Sequence, residues 1–426
     1  MRAHIFAIFC CAIISYAARA ESDTGTINLS VKGAIEIGIK NHPGIQKSKI
    51  GIEAANGNYW REISLPAPSL SLESEFIPDG LGISHYDERS LEISQDFEFP
   101  TVYFSKAALA GKKIDAAKSE LEIATNSLAN NIKRAYFSAV EKLALLNLAK
   151  ENLELAAEFS RKAEIKVKVG EGTNLELLTA KVQLTEAKST VSTAEKDYKT
   201  ALNDLNLSMG YNSGDDLGRI NFTDTLGLQP RTYDFDELLA RSYQRNSTLQ
   251  RAAYELQSAE ISKKIAWMGL LPTFSASYMF QSKAMQLNDN PGYSSNYHGF
   301  RLSVNLPLWF MFDQKGRIQE ADAAYRVNEY NEQIAKNELR GKIASAYEEY
   351  KNSIRQLELY RDELIPQAEE IFRTADISYK AGEISYLEFL QAKLTAINAK
   401  INSIKIQFDY KESIVRLEEA SGLTLE

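Results

Sequence analysis

Apolar residues recur at steps of three and four along a stretch near the end of the chain. The recurring positions are Leu387, Leu390, Leu394, Ile397, Ile401, Ile404 and Phe408. A second series runs beside the first, at Phe389, Ala392, Ala396, Ala399, Ser403 and Ile406. Two adjacent seams allow a helix to pack on both flanks, as in a wall of helices closed into a tube. One wide apolar face on a helix of a simple bundle is the alternative interpretation.

The same pattern occurs earlier in the chain, where a seam runs from Leu177 to Leu205. Each of these return helices follows a long stretch with almost no glycine or proline, at residues 100–168 and 312–380. At about 1.5 Å per residue, such helices reach on the order of 100 Å. Pro366 should kink the second helix or open one of its turns.

Strict alternation of apolar and polar residues precedes each long helix. In residues 69–76 and 91–99, leucine, isoleucine and phenylalanine alternate with serine and acidic residues. In residues 273–280 and 300–306, aromatic and aliphatic residues alternate with threonine, serine, arginine and asparagine. The alternation predicts two hairpins of strands with one apolar and one polar face, typical of a membrane barrel. A half-buried soluble sheet would show the same alternation.

The two halves of the chain are tandem copies. The segment from Gly170 to Lys181 matches the segment from Gly382 to Lys393, at an offset of half the chain. The first repeat is assigned to residues 21–211, with a β-hairpin at about 68–99 and a helical hairpin at about 100–210. A polar linker at 212–231 separates it from the second repeat at 232–426, whose hairpins lie at about 272–308 and 312–421. Opening helices are expected at 29–64 and 235–270, each broken near its middle, the first at His42 and Pro43.

The N-terminus has the pattern of an export signal. Arg2 precedes a short apolar stretch, and Ala18 and Ala20 provide small residues for cleavage after residue 20. Residues 1–20 are therefore expected to be removed, together with both cysteines, Cys10 and Cys11. Neither cysteine has the context of a lipoprotein signal, so no lipid anchor is expected.

Composition excludes several classes of function. The net charge of -8 and the absence of a basic patch argue against a nucleic-acid partner. Beyond residue 20 there are three histidines, far apart in sequence, and there is no phosphate-binding loop, metal-ligand cluster or nucleophile motif. The sequence therefore predicts a protein that is not an enzyme and has no cofactor and no metal site.

Strand counting predicts the oligomeric state. Two hairpins give a sheet of four strands with two unpaired edges. Lipid offers no hydrogen-bond partners to the backbone N–H and C=O groups along those edges. Three copies would supply twelve strands, an even number within the range of known membrane barrels.

These features resemble the TolC-like outer-membrane efflux family over essentially the whole exported chain. The resemblance is carried by the tandem repeat, the β-hairpins before long helices, the helical tips at 169–180 and 379–392, and the segment 302–308. Residues 92–100 resemble the branch associated with heavy-metal efflux. The fold expected is mainly α with a small antiparallel β part. Its coiled-coil-like helices form a trimeric periplasmic α-barrel below a shared 12-stranded outer-membrane β-barrel.

The resemblance also implies partners. A homotrimer is expected in the outer membrane, docked through its tips to a periplasmic adaptor protein that connects to an inner-membrane pump. The tip residues expected at the adaptor are Gly170, Glu171, Gly172, Thr173, Gly382, Glu383 and Ser385. The glycines would equally serve as ordinary turn residues that end a helix.

The family also has a periplasmic gate near the tips, and its positions correspond to Glu176, Tyr379 and Glu388. In this chain Gln391 replaces a second acidic position and Ile384 replaces a basic one. A solvated residue at a helix start, favoured by the helix dipole, is the alternative role for Glu176 and Glu388.

The polar strand faces predict an acidic, cation-preferring lumen formed by Glu73, Glu75, Glu92, Asp96 and Glu98. Two other functions fit the pattern. The channel could be the outer-membrane duct of a one-step protein secretion system, or the chain could be a periplasmic coiled-coil scaffold without a channel. The cargo is not encoded in any feature described above.

Overall fold

The computed structural model describes residues 27–77, 79, 86–211, 220–226, 230–285, 293–309 and 311–425. The predicted signal peptide, with Cys10 and Cys11, lies outside the described residues. So do most of the predicted loop 78–89, much of the predicted loop between the second pair of strands, and part of the linker.

The described residues of the first repeat form three strands and four helices. Its elements are β1 (Ile27–Leu29), α1 (Val31–Asn41), α2 (Pro43–Ile63), β2 (Ser69–Glu75), β3 (Glu88–Phe97), α3 (Pro100–Lys168) and α4 (Asn174–Ser208). The opening helix breaks at His42, whose extended backbone ends α1 and whose side chain accepts a hydrogen bond from Gly44 at the start of α2. The helix begins two residues after the approximate start predicted at Leu29, because Leu29 belongs to a strand and Ser30 caps the helix.

The second repeat follows the same order. Its elements are β4 (Ile220–Phe222), α5 (Phe235–Arg245), α6 (Ser247–Met268), β5 (Thr273–Met285), β6 (Tyr293–Asn305), α7 (Asp313–Leu359), a π-helical turn (Tyr360–Leu364), α8 (Ile365–Ala381) and α9 (Tyr386–Ser421). The π-helical turn ends two residues before Pro366, near which the sequence predicts a disturbed turn. Asn246 separates α5 from α6 and caps α6 with its side chain.

The four long strands form one antiparallel sheet in the order β2-β3-β5-β6. The register places Leu72 opposite Leu91, Leu91 opposite Phe280, and Tyr278 opposite Phe300 on one face. This pairing confirms that each strand has an apolar and a polar side. Strands β5 and β6 extend further than the alternation alone suggests, so the predicted loop at 283–297 is shorter.

A second, two-stranded sheet was not predicted. Strands β1 and β4 pair in parallel, and β4 lies inside the segment predicted to be a linker. Both strands are three residues long, too short for their alternation to be recognised in sequence. The pair joins the start of the first repeat to the segment before the second.

The helices form a wall rather than a closed bundle. Near the sheet, α3 packs between α2 and α6, and α6 packs against α7. Toward the other end, α3 packs between α4 and α9, and α9 packs against α7 and α8. Among the described residues, no helix is both long enough and apolar enough to cross a membrane.

Buried tyrosines hold the middle of this wall. The hydroxyl of Tyr136, on α3, donates a hydrogen bond to the carbonyl of Leu29 at 2.8 Å. Tyr350, on α7, donates to the carbonyl of Arg231. Burial raises the pKa of both phenols, so they stay protonated and remain donors. Each tyrosine thereby fixes the chain segment that leads into its own repeat.

A buried ion pair connects the two repeats. Lys133 Nζ, on α3, lies 2.6 Å from Glu418 Oε2, on α9, and both side chains are almost fully buried. The other oxygen of Glu418 accepts a hydrogen bond from the backbone N–H of Leu425 at 2.9 Å. The pair therefore also fixes the end of the chain beyond α9.

Candidate functional site: the helical tips and the polar face of the sheet

The first tip is the turn between α3 and α4. Gly170 adopts a left-handed backbone conformation, with φ of 85°, which allows the chain to reverse. Gly172 lies so close to Lys166 that a Cβ atom would come within 2.9 Å of the lysine Cβ. Thr173 then caps α4 by accepting a hydrogen bond from the N–H of Glu176, whose carboxylate accepts one from the N–H of Thr173.

The second tip, between α8 and α9, has the same construction. Gly382 is left-handed, with φ of 80°, and Ser385 and Glu388 form the reciprocal cap of α9. The carboxylate of Glu388 accepts hydrogen bonds from the backbone N–H and the hydroxyl of Ser385, at 2.8 and 2.9 Å. These bonds hold the pKa of Glu388 below its usual value, so the carboxylate stays charged.

An aromatic cluster joins the two tips. Phe389 on α9 is fully buried and lies 4.7 Å, between ring centroids, from Phe159 on α3 and 5.0 Å from Tyr379 on α8. Ala180, on α4, and Tyr386, on α9, are buried in the same cluster. The four helices therefore reach this end of the molecule as one packed unit.

Lysines surround this aromatic cluster. Lys166 Nζ lies 4.9 Å from the ring centroid of Tyr379, and Lys393 Nζ lies 5.6 Å from that of Phe159. Lys393 is buried, and burial lowers its pKa. The sequence signals for this cluster are the second seam of α9, which begins at Phe389, and Tyr379, which the sequence identified as a gate candidate. Phe159 on α3 had no signal in the sequence.

The structure places the gate candidates at this end, in two kinds of environment. Glu176 and Glu388 occupy matching positions in the two capping boxes, in the role of helix-start residues. Tyr379 packs in the aromatic cluster, half-buried. The adaptor candidates Glu171, Thr173, Glu383 and Ser385 are exposed around the two turns.

The polar face of the sheet brings together four of the five acidic lumen candidates. Glu73, Glu75, Glu92 and Asp96 lie on the face opposite the leucine, isoleucine and aromatic residues. Glu98 lies beyond the end of β3, where its carboxylate pairs with Lys106 at the start of α3, at 2.7 Å.

The same polar face carries two cations: Arg301, which the alternation predicted on this face, and Lys283, which lies in the segment predicted to be a loop. Lys283 Nζ lies 2.8 Å from Glu88, and Arg301 lies 3.5 Å from Glu92. The four described strands thus present five carboxylates and two cations on this face, an excess of three negative charges. Among the described residues, no group of histidine, cysteine, aspartate and glutamate is arranged to hold a metal ion.

A family model for "Outer membrane efflux protein" matches residues 35–211 and 238–423, one segment in each repeat. The chain belongs to the outer membrane efflux protein family. Membership in this family establishes an outer-membrane channel protein with a periplasmic helical extension, and a transport function rather than catalysis.

Similar proteins agree with this assignment. The cobalt-zinc-cadmium resistance protein CzcC of Cupriavidus metallidurans is 24% identical over 319 residues, covering 70% of this chain and 71% of CzcC. The crystal structure of CusC has a TM-score of 0.77 at 16% identity, covering 93% of this chain and 92% of CusC. The Campylobacter jejuni CmeC channel has a TM-score of 0.74 at 18% identity, covering 92% of this chain and 85% of CmeC. At these identities the two structures establish a shared fold.

Proposed function

We propose that this chain is one of three identical subunits of an outer-membrane efflux channel. The proposal rests on one observation: in a single copy, neither the sheet nor the helical wall is closed on itself. Within the described sheet, β2 and β6 each have one neighbouring strand, and their outer edges are unpaired. Twelve strands from three copies would pair every edge in a closed barrel, as lipid requires.

The helical wall is open in the same way. Near the sheet its outer helices are α2 and α7, and near the tips they are α4 and α8. Large apolar side chains on these helices are exposed in the protomer, among them Ile50, Tyr330, Leu178 and Ile377. Adjoining copies would bury these side chains and close the wall into a periplasmic α-barrel.

The tips are proposed to dock to a periplasmic adaptor protein, which connects the channel to an inner-membrane pump. Support comes from the exposed polar residues around the two turns and from the packed cluster that holds both turns together. Gly170, Gly172 and Gly382 shape the turns, and Glu171, Thr173, Glu383 and Ser385 are proposed to contact the adaptor.

The periplasmic gate is proposed at the same end. Around the threefold axis, Glu388 would form a ring of three like charges, which attracts cations. Glu176 and Tyr379 are proposed to hold the neighbouring helices in the closed arrangement.

The cargo is proposed to be metal cations. CzcC, whose name refers to cobalt, zinc and cadmium resistance, matches 70% of the chain. The excess of negative charge on the polar face of the sheet suits a passage for cations. A duct of this kind needs no fixed metal site, because it conducts what the pump delivers.

The first test is isolation of the protein from outer membranes in mild detergent, followed by mass determination and single-channel recording. A conducting trimer is expected. A soluble, non-conducting monomer would overturn both the barrel and the trimer and leave a periplasmic scaffold as the function.

Docking can be tested by crosslinking, because the chain has no cysteine beyond Cys11. Cysteines placed singly at Glu171 and Glu383 should crosslink to an adaptor protein in cells. A cysteine at Glu338, an exposed position on α7 far from both tips, is the matched control. Equal crosslinking at all three positions would contradict docking through the tips.

A further inference from the structure

The sheet contains one junction between the two repeats. Strand β3, the second strand of the first hairpin, pairs with β5, the first strand of the second hairpin. The strands at the outer edges of the described sheet have the same relationship, since β6 is the second strand of its hairpin and β2 is the first strand of its own. The β3–β5 junction is therefore a template for a junction between β6 of one copy and β2 of the next.

The two hairpins correspond residue by residue. The Leu-Pro pair that precedes each first strand aligns Ser69 with Ser275. The hairpins have the same register, because Ser69 lies opposite Ser94 and Ser275 lies opposite Ser303. The other aligned pairs are Leu70 and Ala276, Leu72 and Tyr278, and Glu73 and Met279 in the first strands, and Glu92 and Arg301, Ile93 and Leu302, and Gln95 and Val304 in the second strands.

The template gives a definite register for the junction between copies. Within one copy, Glu92 on β3 lies opposite Met279 on β5. Their counterparts are Arg301 on β6 and Glu73 on β2. The same pairing between copies therefore places Arg301 directly opposite Glu73 of the next copy, with opposite charges facing each other on the polar side of the sheet.

The apolar side of the junction fits the same register. Leu302 falls opposite Leu72 of the next copy, and Val304 falls opposite its Leu70. All four side chains are more than half exposed in a single copy. The first residue of β2 meets the last residue of β6, so both strands end at the same level. Apolar residues directly opposite each other stabilise a sheet.

Slipped registers fit less well. A slip by one residue would turn the apolar side of one strand toward the polar side of the other. A slip by two residues in one direction places Arg301 opposite Ser71 and loses the charge pair. A slip by two in the other direction places Arg301 opposite Glu75, but it places Leu302 opposite Ser74.

Both charged residues lack a close partner in the single copy. The side chain of Arg301 is 65% exposed, and its ion pair with Glu92, at 3.5 Å, reaches across the intervening strand β5. Glu73 is exposed and has no ion pair among the described residues. Because adjacent strands lie about 4.8 Å apart, a carboxylate on the neighbouring strand is nearer to Arg301 than one two strands away.

We propose that β6 of each copy pairs with β2 of the next in the register of the β3–β5 junction, and that Arg301 forms an ion pair with Glu73 of the next copy. The proposal rests on the proposed trimer and adds the register of its junctions and the contact that selects it. Each junction supplies one such pair, so three copies place three pairs at one level of the lumen.

Disulfide crosslinking tests the register, because the chain has no cysteine beyond Cys11. The variant with Arg301→Cys and Glu73→Cys, oxidised in outer membranes, should give covalent trimers on denaturing gels, since directly opposite Cβ atoms lie about 4.5–5.5 Å apart. The matched controls combine Arg301→Cys with Ser71→Cys or with Glu75→Cys. These diagonal positions are about 7–8 Å apart, beyond ordinary disulfide geometry, and should crosslink roughly tenfold less.

Charge reversal tests the ion pair. Arg301→Glu should lower the temperature at which the trimer dissociates in sodium dodecyl sulfate, because like charges directly opposite each other destabilise a sheet. Adding Glu73→Arg should restore that temperature. The control adds Ser71→Arg to Arg301→Glu instead, which leaves two carboxylates facing each other and should restore less.

The outcomes separate the register from the trimer, because native mass and conductance are measured on the same samples. A conducting trimer that crosslinks equally well through a control pair would overturn the register and leave the trimer in place. Equal recovery by Ser71→Arg and Glu73→Arg would overturn the ion pair. A monomer that crosslinks in no variant would overturn the trimer together with its junctions.

Discussion

At the residue scale, two charged groups have hydrogen-bond or ion-pair partners that the fold holds in place. Glu388 is exposed but bonded twice to Ser385, whereas Lys133 and Glu418 are buried against each other. The first arrangement shapes a turn at the surface, and the second ties the two repeats together. Substitutions at these positions should therefore have different consequences.

Replacing Glu388 with alanine should raise passive conductance through the closed channel, because it removes the carboxylate part of the reciprocal cap of α9 and the proposed gate charge. Glu388→Gln is the matched variant, since it keeps an acceptor for the cap but not the charge. A gate that depends on charge opens in both variants, and one that depends on the cap opens only in the alanine variant. Unchanged conductance of both variants in planar bilayers would reject the gate role.

The pH dependence of this cap follows from the lowered pKa of Glu388. A carboxylate with a depressed pKa contributes stability above the ordinary value of 4.5, and that stability is lost as the pH falls through the lower folded-state value. Conductance of the native channel should therefore stay constant from neutral pH to about 4.5 and change only below it. Glu388→Gln should abolish that acid response. A response centred near pH 6 would assign it to another group.

Lys133→Ala should lower the free energy of unfolding by about 3–5 kcal/mol, because it leaves the carboxylate of Glu418 buried without a counter-ion. The neighbouring pair between Arg134 and Glu419 is more exposed, so Arg134→Ala is the control, with an expected loss of about 0–1 kcal/mol. Denaturant unfolding in detergent measures both variants. Equal losses would show that burial of the Lys133–Glu418 pair does not increase its contribution to the free energy of unfolding.

At the element scale, the main difference between the long helices is continuity. Helix α3 runs for 69 residues without interruption, whereas its counterpart is divided by the π-helical turn before Pro366. Proline lacks the N–H that would close the preceding helical turn, and the π-helical turn accommodates this loss. We therefore expect the interruption to depend on this one residue.

Pro366→Ala should convert the π-helical turn into regular α-helix and slow hydrogen exchange of the amides at residues 360–365. Gly316→Ala, in the first turn of α7, is a control that should stabilise the helix by about 1 kcal/mol and leave exchange near residue 360 unchanged. Unaltered exchange after Pro366→Ala would mean that tertiary packing, and not the proline, maintains the turn.

At the scale of the whole molecule, the protomer is open along the edges of its sheet and of its helical wall. The proposed trimer would place the polar face of the sheet toward a common lumen. The excess of negative charge on that face would then be tripled. The channel should in consequence prefer cations.

Reversal potentials under a salt gradient should show cation preference in the wild-type channel. Replacing Arg301 with glutamine should strengthen the preference, and replacing Glu73 with glutamine should weaken it. Both effects should shrink as salt rises, because exposed charges are screened over about 10 Å at 0.1 M ionic strength. An anion-selective wild-type channel would contradict the proposed orientation of the sheet. Lys342→Gln, on the exposed surface of α7, should change nothing.

Much of the fold could be predicted because its signals are local. The predicted first long helix, residues 100–168, agrees with the bounds of α3, and the left-handed turns at Gly170 and Gly382 follow from the glycines that end each ascending helix. The strands β1 and β4 were missed because three residues carry no periodic signal. The roles of Glu176, Tyr379 and Glu388 stay predictions, because a gate exists only between copies.

The sequence by itself determined the local elements: the long helices, the tight tips, the alternating strands and their repetition. Each depends on hydrophobic periodicity, turn residues or helix breakers within a few residues of one another. Only the tertiary structure decided which seam is used inside the protomer. On α9 the seam of Phe389, Ala392, Ala396 and Ala399 is buried, whereas Leu387 and Leu394 on the other seam stay exposed. Small residues let helices of the two repeats approach closely, and that choice depends on contacts between residues far apart in the chain.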